Sequence, residues 1–185
     1  MDQKERFDLL CRAAIDAGAH RASVIPVDLV ETDRSFRTLC EQNVCGCYGR
    51  NWMCPPDAGA IDELIPVLRS YPYILVYQSV GQLEDSYDFE GMAASAVKHC
   101  DLMYKVNEYM KKQEFGRILC LGAGGCRICP VCARQTNEPC RHPDRATPSL
   151  EAYGVNVSTL AKAAGMKYIN GQNTVTYFGA VLFEM

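Results

Sequence analysis

The 185-residue sequence has no excess of basic charge: 19 Lys and Arg stand against 22 Asp and Glu, for a net charge of −3. Nucleic acid is held by basic residues that displace counterions, so this balance argues against a nucleic-acid partner. No apolar run approaches the ~18 residues of a membrane span. The first twenty residues mix both signs of charge and lack a continuous apolar core, so they are not expected to act as a secretory leader, and the expected location is the cytoplasm. Histidine is scarce, at 3, and tryptophan occurs once. There is no Ser–His–Asp set, no phosphate loop and no convincing carboxylate dyad, which removes the commonest hydrolytic and phosphoryl-transfer chemistries. The stretch "GAGGCR" (122–127) follows a strand pattern but lacks the third glycine of a dinucleotide fingerprint. Close approach of backbone to a bound group is the better reading of its glycines.

What the sequence has in abundance is cysteine, 11 in all. Clustered cysteines in a reducing compartment point to metal or catalysis before disulfides, and a chain of this length does not need covalent staples. Four of them follow Cys126-x2-Cys129-x2-Cys132-x7-Cys140. Three thiols separated by two residues each can wrap the corners of a cubane, and a more distant fourth closes the site, as in ferredoxin-type runs. Zinc sites more often pair two knuckles or add histidines, so 4Fe-4S is favoured and zinc is the alternative, with His142 a lesser candidate ligand than Cys140. A second set follows Cys40-x4-Cys45-x-Cys47-x6-Cys54, closed by Cys54-Pro55-Pro56. Gly46 and Gly49 let the backbone fold closely there. This loop is expected to hold a second cluster, to complete the first one, or to bind a separate zinc.

Cys11, Cys100 and Cys120 lie within helix or strand patterns and read as small core residues. His20 and His99 stand alone and read as surface or capping residues. Trp52, inside the first loop, reads as a lid that shields the site from water, and the aromatic residues of the final strands read as core.

Between these loops the pattern predicts one mixed α/β (α+β) domain over residues 1–185, a central sheet flanked by helices, with cysteine loops at 40–56 and 122–143. Helices are expected at 3–17, 33–42, 60–71 and 92–113, and from Ser149 onward with Ser149 as N-cap. Strands are expected at 22–30, 73–80 and 117–123. Two more, "MKYING" and "TVTYFGAVLFE", are expected with a turn at 170–173. Pro26 suits an edge strand.

"CGCYGRNWMCPP" (45–56), "CRICPVCA" (126–133), "PCRHP" (139–143) and "PSLEAYGVNV" (148–157) together resemble a family of predicted metal-binding proteins, domain of unknown function 2284. The resemblance covers most of the chain. It implies bound metal, iron–sulfur in kind, at Cys126, Cys129, Cys132 and Cys140, with the first-loop cysteines as further ligands; it implies no reaction.

Three functions follow. One or two 4Fe-4S clusters would suit electron transfer with a redox partner protein. In that reading "SLEAYG" would aim a helix N-terminus at the second cluster. A cluster-dependent enzyme would use an open iron on a small anionic or sulfur-containing substrate, with Arg127, Arg134, Arg141 or Arg145 as anion handles and Glu151 as base. A structural zinc module is the third.

Overall fold

The computed structural model describes residues 2–185. Its centre is a four-stranded sheet in the order β1-β2-β4-β3, built from β1 (Arg21–Pro26), β2 (Tyr73–Gln82), β3 (Arg117–Leu121) and β4 (Thr174–Glu184). Each neighbouring pair is antiparallel, so the fold falls on the α+β side of the expected class.

Strand alternation divides the core into two layers. From β2, Ile74 and Val76 enter one layer, while Leu75 and Tyr77 enter the other. The first layer is closed by Leu64 and Leu68 of α3 (Ile61–Arg69) and by Leu160 and Ala161 of α5 (Val157–Ala163). The second is closed by Leu10 and Ala14 of α1 (Gln3–Asp16) and by Leu102, Val106 and Met110 of α4 (Phe89–Lys111). With both faces covered, the central strands read as nearly continuous apolar runs. The fifth helix, α2 (Phe36–Glu41), belongs to the first cysteine loop.

Several expectations need correction. "MKYING" is not a strand: β4 is the only strand after α5, and residues 167–173 form turns that lead into it. The alternation in "MKYI" is too short to pair, and Asn170 uses its amide to hold the turn, donating to the Lys167 carbonyl and the Thr176 hydroxyl. The helix expected from Ser149 is only a 3-10 turn at Glu151–Tyr153, although the Ser149 hydroxyl does cap it by accepting from the Ala152 amide. Gly154, at φ +72°, ends that turn, and α5 begins after a new cap at Asn156. The strand expected at 22–30 stops at Pro26 and continues as a 3-10 turn, Val27–Leu29; β1 is an edge strand, as Pro26 suggested.

His99 is not on the surface. It is 2% exposed and lies on the inward stripe of α4 with Ala96, Met103 and Val106. Its Nδ1 is 2.8 Å from the Ser79 hydroxyl, and burial pulls its pKa down to about 4. His20 is exposed, as expected.

Candidate metal centre

Both cysteine loops gather where β3 ends. The first runs from α2 to α3 as a chain of tight turns. Cys40 sits near the end of α2, and Asn43 turns the chain with φ +54° while its side chain accepts the Tyr48 amide at 3.0 Å. Gly46 and Gly49 adopt φ +72° and +65°, which a side chain would resist. The Gly49 amide donates to Pro55, and the Cys54 amide to Asn51, so the four thiols are drawn together.

Cys40, Cys45, Cys47 and Cys54 line one cavity of about 300 Å³. Burial pushes the Cys54 thiol up to about 12, aided by the neighbouring Cys47, Cys45 and Cys40. Cys47 is raised by burial and by Cys45, with Arg127 pulling the other way, and Cys40 is raised by burial with Arg37 opposing. At all three, burial works toward the thiol and against the thiolate.

The second loop leaves β3 at Gly122, whose amide donates to the Pro148 carbonyl while its own carbonyl accepts from Leu150. The departing and returning chains are clamped together there. Cys126, Cys129, Cys132 and Cys140 line a separate cavity that is far tighter, about 20 Å³, roughly the room one water needs. His142 lines it as well. Burial raises the Cys126 thiol against the lowering effect of hydrogen bonds from the Ile128 and Thr147 backbones. All eleven cysteines are free thiols.

The eight cysteines singled out by spacing therefore form two sets of four, and the sets touch. Cys126 lines both cavities. A Cβ built on its neighbour Gly125 would stand 3.0 Å from Cys47 Sγ and 3.3 Å from Cys54 Sγ. The glycine of one loop is the wall of the other loop's site.

Asn51, Arg50 and Asp57, which the sequence did not single out, stitch the loops together with Trp52 and Arg134, which it did. Buried Asn51 donates from its side-chain amide to the Cys126 carbonyl at 2.9 Å. Arg50 donates to the Gln135 side chain at 2.8 Å. Arg134 pairs with Asp57 at 2.8 Å, both ends mostly shielded from solvent, and its guanidinium lies over the Trp52 ring. Trp52 itself donates from Nε1 to the Glu138 carbonyl at 2.9 Å and lines the second cavity. Trp52 is thus a lid, but over the other loop's thiols. The available signal was the polar run "RNW" between two candidate ligands.

The "SLEAYG" segment also faces the other way from expectation. Ser149 and Glu151 line the first cavity, and a single 3-10 turn presents no helix N-terminus to the second. Glu151 is solvent-accessible along that cavity yet flanked by protein, and the crowding raises its carboxyl pKa. Its own amide, the Ser149 hydroxyl and the Gly124 amide pull the other way. Of the four arginines proposed as anion handles, Arg134 is spent on Asp57 and Arg141 on Glu138 and the Val131 carbonyl, while Arg145 lies over Tyr104. Arg127 lines the first cavity, and no ion pair or side-chain hydrogen bond engages it among the described residues. Cys11 and Cys120 pack against the core layer of α1 and α4, whereas Cys100 lines a small cavity beside Cys126.

Among the described residues, no three His, Cys, Asp or Glu side chains converge as one bound ion requires. No described helix is long and apolar enough to cross a membrane. A family described as predicted metal-binding protein, domain of unknown function 2284, matches residues 23–183. No curated protein and no solved structure matches the chain.

Proposed function

Because the chain belongs to the domain of unknown function 2284 family of predicted metal-binding proteins, we propose that the metal is iron–sulfur, one cluster at each thiol set, and that the protein carries electrons in the cytoplasm to or from a redox partner. The observation that carries this reading is the shared wall at Gly125 and Cys126 between two sets of four cysteines. Two redox centres so placed exchange electrons over a short path and need no catalytic acid or base.

The donor chemistry fits. Each set offers four thiols, the complement of a cubane; the first surrounds a space of about 300 Å³, whereas the second, closed on about 20 Å³, would have to open to admit one. When bound, the clusters supply one-electron transfer. The chain's own residues do the rest. Arg127 and Arg37, beside the first-loop thiols, favour thiolate over thiol and offset the negative charge of a bound cluster. Asn51 fixes the Cys126 carbonyl, and Trp52 covers the second set.

One observation favours a second reading. Arg127 and Glu151 face the first cavity beside the thiols, an arrangement suited to a small anionic substrate and a cluster-dependent reaction.

Anaerobic purification with iron, sulfide and zinc analysis tests the proposal. Two cubanes require about eight irons and eight sulfides per chain and two reversible one-electron steps. Zinc without iron in either site would remove the electron-transfer reading. A spectrum at the first site that changes on adding a small anion would move the conclusion to the enzyme.

A further inference from the structure

A large cavity lies outside both thiol sets. It is a half-open groove of about 660 Å³ between α4, the edge strand β3 and the returning segment Asp144–Pro148. Its apolar lining includes Ile118, Leu119 and Pro148.

The floor of the groove carries unused backbone groups. β3 pairs on one side only, with β4. At its end, Gly122 turns both its amide and its carbonyl away from β4, toward Pro148 and Leu150. Backbone groups along a strand alternate in direction, so those of Cys120 and Ile118 point the same way as Gly122's. The segment that satisfies Gly122 reaches no farther along β3; by that alternation the groups of Ile118 and Cys120 point away from β4, and among the described residues no backbone bond from outside the strands engages them. An unpaired edge is a template for another strand.

The lining carries three cations, Lys105, Lys111 and Arg145, against the carboxylates of Glu108 and Asp144. Glu108 is engaged by Lys111 at 3.6 Å, and Lys111 also donates to the Asp144 carbonyl. Lys105 and Arg145 have no carboxylate within ion-pair distance among the described residues, although the chain as a whole is acidic. Asn107, 5% exposed on the same wall, has a side-chain oxygen without a hydrogen-bond partner.

We propose that this groove binds an extended acidic segment of another protein, which adds to the sheet as a fifth strand beside β3. The open ladder at Ile118 and Cys120 would hold the main chain, and Lys105 and Arg145 would select acidic side chains. The site stands apart from the identity of the metal. The docked segment would lie against the strand that leads straight into the second cysteine loop.

The test uses the full metal-loaded chain and a fluorescein-labelled Glu-Val-Glu-Val-Glu-Val peptide, followed by fluorescence anisotropy at low salt. Saturable binding is expected. It should weaken about tenfold when alternate peptide amides are N-methylated, and by a similar factor in Arg145→Glu. Lys105→Glu, at an exposed position, repeats the charge test should Arg145→Glu fail to fold. Amide exchange at Ile118 and Cys120 should slow in the complex. Absence of saturable binding, equal affinity for the N-methylated or a Lys-Val peptide, or unchanged exchange at Ile118 and Cys120 overturns the proposal. So does a dimer through this edge, seen by sedimentation, that the peptide does not dissociate.

Discussion

The two thiol sets invert each other. The second loop carries the more regular spacing, yet its cysteines close on about 20 Å³ under a tryptophan. The first loop has the irregular spacing, yet its cysteines surround about 300 Å³ with a cation and a carboxylate at hand. Regular spacing states how a short segment can wrap a metal. It does not state how much room the rest of the chain leaves. Here the room is set by partners distant in sequence: Trp52 narrows the second site, and Gly125 widens the first by having no side chain. On the proposed reading, the tight set is the one that would only pass charge, and the open one the one that would meet something from solvent.

The strongest way to break this comparison is to remove one thiol from each set. Cys54→Ala should cost about half the iron and leave the second site's signal, and Cys129→Ala should do the reverse, as read by iron and sulfide analysis with electron paramagnetic resonance. If either variant stays folded and loses all its iron, the sets form one centre and the contrast collapses.

Gly125→Ala sharpens it. The new methyl group would meet Cys47 and Cys54, so a substitution within the second loop should empty the first site: iron falls toward about four per chain, and the remaining signal belongs to the second. Retention of both signals would show that the wall yields easily.

Trp52→Phe should act in the opposite direction. It removes one cross-loop hydrogen bond, costing about 1 kcal/mol in a denaturant melt, and should speed chelator attack on the second site while sparing the first. The smallest effect belongs to a cysteine outside both sets. Cys11→Ala should leave metal content unchanged and cost about 1 kcal/mol, the scale of a modest core truncation.

Much of the fold was legible because helices and buried strands announce themselves by period. The apolar stripe of α4 and the run of β2 needed no tertiary information. His99 lies on that same stripe, and its position on the helix was a better guide to burial than its residue type. "MKYING" misled because alternation makes a segment able to pair without supplying a partner. The grouping of eight cysteines around two cavities follows the chain as their spacing divides them. The sharing between sets was not legible: Gly125 against Cys47, or Asn51 against the Cys126 carbonyl, depends on two loops about 75 residues apart being folded onto each other. Nor could composition show that Arg134 is spent on Asp57 and Arg127 is not.

Trp52 is the chain's only tryptophan, and its indole bridges the two loops while lying against one set of thiols. That makes it an intrinsic optical gauge. Its ultraviolet emission comes from one place alone, so spectral position tells whether the loops are joined, because an indole released into water emits to the red. Emission intensity tells whether a light-absorbing centre sits beside it, because energy passed to that centre is lost as fluorescence. Loading of the second site and separation of the loops can therefore be followed in real time, in one cuvette, without label or substitution.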